Sequence, residues 1–180
     1  DRNNEYMIED QRFAATRPDV LVFESDTLTE DMTIAGPITA DLFVSITGTD
    51  ADFIVKLIDI LPEYEKNIDK KPNITMAGMQ RSVRAEVIRG KFRNDLSKPE
   101  PFIPGKVAEV KFNLNDVLHT FKKGHRIMIQ VQSSWFPLVD RNPQKFIRIP
   151  EADEKDFQKA TIRIHHDATN SSSVILPVLK

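Results

Sequence analysis

The chain has 180 residues, of which 40% are hydrophobic, so it can bury one core of ordinary size. Its 25 Lys and Arg residues against 27 Asp and Glu residues give a formal net charge of -2, which offers no field to attract nucleic acid or an anionic membrane surface. The absence of cysteine excludes disulfides, thiolate nucleophiles and zinc–thiolate sites, and no apolar run approaches the roughly 18 residues of a membrane span.

Hydrophobic side chains recur at every second position along most of the chain, which is typical of strands with one buried face. In chain order, this pattern predicts strands at residues 20–23, 32–34, 40–46, 53–61, 83–87, 108–114, 127–131, 162–164 and 174–178. About eight to nine strands at this spacing predict an all-β sandwich or barrel. We expect one domain that spans residues 1–180.

Residues 53–61 are almost continuously apolar, interrupted by Lys56 and Asp59, which predicts a central strand covered on both faces. Helix signals are few: residues 115–121 are expected to form one turn capped by Asn115 or Asp116, and the polar residues 151–158 another. Residues 62–78 form the longest stretch without a strand pattern. Turns are predicted between the patterned runs at Gly36-Pro37, Pro62, Pro72, Pro104-Gly105 and Lys123-Gly124.

A serine hydrolase of the α/β type needs its nucleophile on a strained elbow with the pattern G-x-S-x-G. The six glycines stand at positions 36, 48, 78, 90, 105 and 124, and none forms that pattern with a serine. Ser133 and Ser134 are therefore expected to bond to backbone rather than to act as nucleophiles. No catalytic residue and no cofactor site are predicted within this chain.

The four histidines are expected to be structural. His165 and His166 are adjacent on a predicted strand, so they point to opposite faces and cannot share one metal ion. His119 and His125 flank the turn at Lys122-Lys123-Gly124, where solvation or local hydrogen bonds are expected.

Two acidic or mixed clusters lie on predicted loops. Asp50 and Asp52 are weak candidates for calcium ligands, although a turn capped by Asp50, with Asp52 leading into the next strand, is favoured. Asp140, Arg141 and Asn142 offer a network in which an arginine fork meets a carboxylate. We expect this second cluster to pin a loop at an interface, with substrate contact as the minority hypothesis.

Trp135 is the only tryptophan, and with Phe136 and Pro137 it concentrates apolar surface directly after a strand. Such a group is either an interface anchor or a hydrophobic plug at the end of the sandwich, and the sequence favours neither.

An ordered series of short motifs resembles the carboxy-terminal jelly-roll domain of the X-Pro dipeptidyl-peptidase and cocaine-esterase (CocE/NonD) type of serine hydrolases. The family also includes α-amino acid ester hydrolases and glutaryl-7-aminocephalosporanic acid acylases, and the motifs do not choose among them. They are Asp10-Gln11-Arg12, Arg17-Pro18-Asp19-Val20-Leu21, Gly36-Pro37-Ile38, Thr49-Asp50-Ala51-Asp52-Phe53, Lys56-Leu57-Ile58-Asp59, Arg84-Ala85-Glu86 with Arg89, Pro104-Gly105, Gly124-His125-Arg126-Ile127, Ser133-Ser134-Trp135-Phe136-Pro137, Asp140-Arg141-Asn142-Pro143 and Ser173-Val174-Ile175-Leu176-Pro177.

The resemblance implies a galactose-binding-like jelly-roll β-sandwich that packs on an upstream α/β-hydrolase domain and helps to wall its active site. Residues 1–16 would then be a lead-in segment from that catalytic domain, and the chain an excised fragment. Family members line the site just before the segment that matches Asp10, which makes Tyr6 and Met7 candidates beside the 135–142 loop. Residues 145–160 depart from the family pattern, since an acidic run replaces a glycine-containing segment.

Two other functions remain open at this stage. A carbohydrate-binding or ligand-binding jelly roll has the same architecture, although one Trp and two Tyr are few for a sugar platform. An oligomerisation domain with Trp135 at its contact surface is the other alternative. Cytoplasmic, periplasmic and secreted locations are all compatible with the composition.

Overall fold

The computed structural model describes residues 10–68 and 74–179. Two antiparallel β-sheets pack on each other, which confirms the predicted all-β sandwich. A short helix, α1 (Arg12–Ala15), comes first, and no helix in the described ranges has the length and apolar character needed to cross a membrane. The strands are β1 (Val20–Glu24), β2 (Met32–Ile46), β3 (Asp52–Ile60), β4 (Gln80–Arg89), β5 (Ala108–Phe121), β6 (Arg126–Gln132), β7 (Ile162–Ile164) and β8 (Ser173–Ile175).

The first sheet, sheet A, has the strand order β1-β6-β3-β4. The second, sheet B, is organised around β2, which is 15 residues long. One edge of β2 pairs with β5, and the other edge pairs in succession with β8 and β7. Most neighbours are therefore distant in sequence, as the long connections of a jelly roll require.

The main core lies between the two sheets. Strand β3 is central in sheet A, and all nine of its residues are buried, as predicted for a strand covered on both faces. Phe53, Val55 and Leu57 point into the main core, whereas Ile58 and Ile60 belong to a second buried cluster on the opposite face. The other main-core residues are Ile34, Ile38, Ala40, Leu42, Val44, Ile46, Ala51, Phe102, Val110, Leu114, Val117, Phe121 and Val131.

The turn predicted at Gly36-Pro37 was wrong. Strand β2 runs through both residues without a break and joins the two strands predicted at 32–34 and 40–46. Gly36 has φ +120°, which glycine adopts without a Cβ penalty, and Pro37 lies where the pairing with β5 shifts register. Glycine and proline therefore mark a β-bulge here rather than a turn.

The helical turn predicted at residues 115–121 was also wrong, because these residues continue β5. Residues 113 and 116 of β5 pair with 39 and 37 of β2, so β5 carries one extra residue. Asn115 has φ 62° at this bulge. The inward positions consequently change from Val110 and Leu114 to Val117 and Phe121, which breaks the alternation that the sequence pattern relies on.

Helical structure elsewhere is limited to single 3₁₀ turns in the described residues. Ile149–Glu151 and Glu154–Asp156 form two such turns, the second within the predicted helical stretch at 151–158. Asp153 and Asp156 make a reciprocal capping box around the second turn. Helix α1 was not predicted.

Candidate functional site

Residues 133–142, which we call the Trp135 loop, follow directly from β6. At the end of β6, Gln132 Nε2 donates a 2.8 Å hydrogen bond to the carbonyl oxygen of Ser134 and holds the start of the loop. Phe136 is 57% exposed and Leu138 is 60% exposed, so neither side chain fills the core. Large apolar side chains exposed together on one loop are typical of an interface.

Trp135 itself turns towards the outer face of sheet A, the face that points away from the main core. Its ring centroid lies 5.5 Å from the Nζ atom of Lys56 in β3. The indole Nε1 atom is buried and has no hydrogen-bond partner in the described residues. Trp135 thus covers the sheet, while Phe136 and Leu138 remain exposed. The interface role considered for this group stays a prediction.

The far end of the Trp135 loop is held by Asp52, the first residue of β3. Asn142 Nδ2 donates a 2.8 Å hydrogen bond to Asp52 Oδ1. Arg89, at the end of β4, donates to both carboxylate oxygens of Asp52 at 3.1 and 3.3 Å. This carboxylate is buried and fully engaged, so it links the loop to two strands of sheet A.

Arg141 and Asp140 make different contacts from those expected. The Arg141 guanidinium lies 4.9 Å from the ring centroid of Phe157, a cation–π contact with the segment before β7. The carbonyl oxygen of Asp140 accepts a 3.5 Å hydrogen bond from Arg89 Nη2. In the described residues, the arginine fork that meets a carboxylate here is supplied by Arg89.

Residues 10–16, the described part of the lead-in segment expected from the resemblance, cover the same outer face of sheet A. Gln11 is buried and its backbone N–H donates a 2.8 Å hydrogen bond to the carbonyl oxygen of Gln80 in β4. Gln11 Oε1 accepts a 2.9 Å hydrogen bond from Lys56 Nζ, and the Phe13 ring centroid lies 5.8 Å from the same nitrogen. Lys56 therefore lies between the lead-in segment and the Trp135 loop.

Lys56 is only 1% exposed, which is unusual for a lysine. Burial, with a smaller contribution from the positive charge of Arg17, lowers the pKa of Lys56 to about 8. The sequence analysis noted this residue as an interruption of an apolar run and within a family motif, without a role in the site. Its partners Gln11 and Phe13 were not predicted as site residues, although Gln11 also lies in one of the family motifs.

The candidates Tyr6 and Met7 lie outside the described residues. Their proposed place at an active-site wall stays a prediction from the family resemblance.

Asp50 is buried in the turn before β3. Its Oδ1 atom accepts backbone hydrogen bonds from Ala51 at 2.9 Å and Lys91 at 3.0 Å. The Lys91 ammonium lies 3.7 Å from Oδ2. Burial raises the pKa of Asp50 above its ordinary value. The contacts of Asp50 thus tie the turn to the segment after β4.

Across residues 10–68 and 74–179, no group of three or more His, Asp or Glu side chains is arranged to hold a metal ion.

His119 and His125 are neither solvated nor locally bonded, so that prediction was wrong. Both donate a hydrogen bond to the Asp59 carboxylate, at 3.0 Å from His119 Nε2 and 2.7 Å from His125 Nδ1, and Arg81 Nη2 donates a third at 2.6 Å. Burial opposes ionisation of Asp59, but these three hydrogen bonds outweigh it and lower its pKa. The cluster joins β3 and β4 of sheet A to β5 of sheet B, a contact between residues far apart in sequence.

The second histidine pair lies just beyond β7. His165 Nε2 is 2.9 Å from the Ser45 hydroxyl of β2. His166 instead contributes to a groove of about 500 Å³ between the two sheets. The groove is lined mainly by apolar side chains such as Phe23 and Val174, whereas a sugar site needs several polar groups beside its aromatic rings.

Two packed antiparallel sheets and a loop with exposed apolar side chains define a β-sandwich domain. A family model described as the X-Pro dipeptidyl-peptidase C-terminal non-catalytic domain matches residues 4–175. The chain belongs to this family.

Individual relatives agree with this assignment. The cocaine esterase of Rhodococcus sp. (strain MB1 Bresler) is 32% identical over 171 residues, which cover 95% of this chain and 27% of that protein. The crystal structure of an aminopeptidase from a marine sediment archaeon, Thaumarchaeota archaeon, matches with a TM-score of 0.89 and 41% identity over 98% of this chain and 28% of that one. An α-amino acid ester hydrolase structure matches with a TM-score of 0.88 and 41% identity over 97% of this chain and 28% of that one. The chain therefore spans little more than a quarter of the length of these relatives.

Proposed function

We propose that this chain is the accessory carboxy-terminal domain of an α/β-hydrolase-type serine hydrolase. It packs on the catalytic domain of the same polypeptide and helps to wall the active site. Membership of a family described as non-catalytic supports this function, as does the share of 27% to 28% that the chain covers in its relatives. Most of each relative's length is left for a separate catalytic part.

The observation that carries the proposal is the difference between the two outer faces of the sandwich. On sheet A, the outer face is largely buried: Ile58, Ile60 and Met128 form one apolar cluster, and Lys56 and Gln130 are buried beside it. The lead-in segment and the Trp135 loop cover the part of this face around Lys56. Large apolar side chains at the edge of this covering layer are exposed, namely Phe13, Phe136 and Leu138. We call this group of two aromatic rings and one leucine the aromatic rim.

The outer face of sheet B is polar and suits contact with water. Lys111 Nζ lies 2.6 Å from Asp41 Oδ2, and the hydroxyls of Thr33 and Thr120 are 2.8 Å apart. Leu118 and Ile175 are also exposed on this face, at 78% and 55%, but they extend from strands rather than from a layer that covers a buried face. An interface with a catalytic domain is therefore expected on the sheet A side, at the aromatic rim.

The reaction class is hydrolysis of an acyl ester or amide by the parent enzyme. The relatives are an esterase, an aminopeptidase and an amino acid ester hydrolase, all of which transfer an acyl group to water. An X-Pro dipeptide, a carboxylic ester and the side-chain amide of a β-lactam are the substrate classes of this proposal. The chain itself supplies walls and contacts, because its sequence contains no G-x-S-x-G elbow.

Two measurements test this function. The purified chain is assayed with activated acyl esters and Ala-Pro anilides, and no turnover above buffer is expected. The coding sequence immediately upstream is determined, and it is expected to encode G-x-S-x-G followed by an Asp and a His. Turnover by the pure chain would contradict the accessory function. An upstream region without the elbow would also contradict it, and would favour a ligand-binding or oligomerisation domain.

A further inference from the structure

Lys56 differs from the other buried charges of this domain in what it contacts. Three buried carboxylates each have a cationic partner: Asp50 with Lys91, Asp52 with Arg89 and Asp59 with Arg81. Within residues 10–68 and 74–179, by contrast, the Lys56 ammonium contacts an amide oxygen and two aromatic rings rather than a carboxylate.

These contacts come from two segments that are far apart in sequence. Gln11 and Phe13 belong to the lead-in segment, and Trp135 belongs to the loop after β6. Strand β3 lies beneath both, and its central position in sheet A gives Lys56 a rigid base. The negative face of an aromatic ring attracts an ammonium, and the Lys56 Nζ atom is within reach of both rings, at 5.8 Å from the Phe13 centroid and 5.5 Å from the Trp135 centroid.

A buried ammonium without a carboxylate adds little to stability, because its desolvation opposes the contacts it makes. Its contacts instead fix the relative position of two surface segments, because both segments contact the same point of the sheet. These two segments carry the aromatic rim, with Phe13 on one side and Phe136 and Leu138 on the other. The rim can act as one surface only while both segments keep this relative position.

We propose that Lys56 is a positioning residue that holds the lead-in segment and the Trp135 loop against each other, so that the aromatic rim forms a single preorganised surface. This inference rests on the proposed function only in taking that rim as the surface that meets the catalytic domain. The contacts through which Lys56 positions the two segments all lie within this chain.

Titration of Lys56 provides a way to release the contact without mutation. Its lowered pKa of about 8 means that the ammonium loses its charge in mildly alkaline solution, and with it the attraction to both rings. The charged group that acts on it most is Arg17, which is paired with Asp19. Its direct neighbours across the sheet, Ala85 of β4 and Gln130 of β6, carry no charge, and on the covering segments Arg12 is paired with Asp10.

Trp135 is the only tryptophan of the chain, so its fluorescence reports on the loop directly. We expect the emission and anisotropy of the wild-type chain to change in one transition with a midpoint near pH 8, with lower anisotropy on the alkaline side. Lys56→Met should show low anisotropy at every pH and no transition. Lys111→Met, which removes an exposed lysine on sheet B, is the matched control and should behave as the wild type does.

Lys56→Arg provides a second, independent variant, because a guanidinium keeps its charge across this pH range. It should keep the high anisotropy and lose the transition. If Lys56 were merely structural, Lys56→Met would lower both the stability of the chain and the order of the loop. If Lys56 positions the two segments, Lys56→Met loosens the loop without lowering the unfolding midpoint in denaturant.

The proposal is overturned if Lys56→Met retains the wild-type anisotropy, or if the alkaline transition persists in either Lys56 variant. Should Lys56→Met fail to fold, absence of any transition near pH 8 in the wild type overturns it equally. All of these measurements use the chain without a catalytic domain, so their failure is distinct from failure of the accessory function.

Discussion

Asn142 Nδ2 donates a 2.8 Å hydrogen bond to Asp52 Oδ1, and this contact joins the end of the Trp135 loop to the start of β3. The two residues lie 90 positions apart in the chain. Each belongs to a short motif, Thr49 to Phe53 and Asp140 to Pro143, that is weak alone. Folding brings the two motifs together around one buried carboxylate, which also receives the guanidinium of Arg89.

Removal of this amide tests whether the loop depends on Asp52. Asn142→Ala deletes a buried hydrogen bond to a charged group, and we expect the free energy of unfolding to fall by about 2 kcal/mol. Amide hydrogen exchange across residues 133–142 should become faster. Chemical denaturation and exchange measure the two effects. Asn113→Ala, which removes an exposed amide on sheet B, is the control, with an expected change within about 0.5 kcal/mol. Equal losses in both variants would show that Asn142 does not hold the loop.

The Asp59 cluster predicts a dependence of stability on acid. The pKa of Asp59 is lowered on folding, so the ionised carboxylate stabilises the fold at pH values above its ordinary pKa of 3.8. This contribution is lost as the pH falls through the pKa of the folded state. Asp59→Asn should cost about 3 kcal/mol at neutral pH, since it leaves Arg81 and two histidines without their charged partner.

Urea denaturation from pH 7 to pH 2 measures this dependence. The difference in unfolding free energy between wild type and Asp59→Asn should shrink below pH 4. Asp41→Asn removes the exposed partner of Lys111 and should cost less than about 1 kcal/mol at all pH values. A constant difference for Asp59→Asn throughout the acid range would exclude the proposed ionisation.

Unlike the Asp59 carboxylate, the buried Lys56 ammonium destabilises the fold, and this predicts a change of stability in the alkaline range. Its pKa is lowered from 10.5 to about 8 on folding, so below pH 8 the buried charge destabilises the folded state. Between pH 8 and 10.5 the folded chain has lost this proton and the unfolded chain has not, so stability rises with pH. The full effect is up to about 3 kcal/mol. Guanidinium denaturation of wild type and Lys56→Met should therefore give curves that converge as pH rises, and parallel curves would contradict the lowered pKa.

The sequence predicts those parts of the fold that depend on local alternation. Strands β1, β3, β6 and β7 lie within one or two residues of their predicted bounds, since each is a short apolar or alternating run bounded by polar or turn residues. At Asn115 a bulge interrupts the alternation of β5, and local propensity indicates a helix there. Gly36-Pro37 of β2 lie opposite this bulge, and these two residue types indicate a turn although the sheet continues.

The candidate site was predictable only in part. Apolar composition marks the Trp135 loop, and the structure shows Phe136 and Leu138 exposed there. Lys56, Arg89 and the Asp59 cluster contact partners far away in sequence, which lie on other strands, on the lead-in segment or on the Trp135 loop. Such contacts depend on how the strands and loops are arranged in the folded chain, and a local sequence pattern does not contain that information.

The proposed function depends on contact between the aromatic rim, on the sheet A side, and a catalytic domain. A photoactivatable benzoylphenylalanine placed at Phe136 in the intact parent polypeptide tests this most directly, with the same group at the exposed Leu118 of sheet B as the matched control. We predict a crosslink from position 136 to a peptide of the upstream catalytic part and none from position 118. Capture from position 118 alone, or no capture from position 136 in folded protein, would contradict the account.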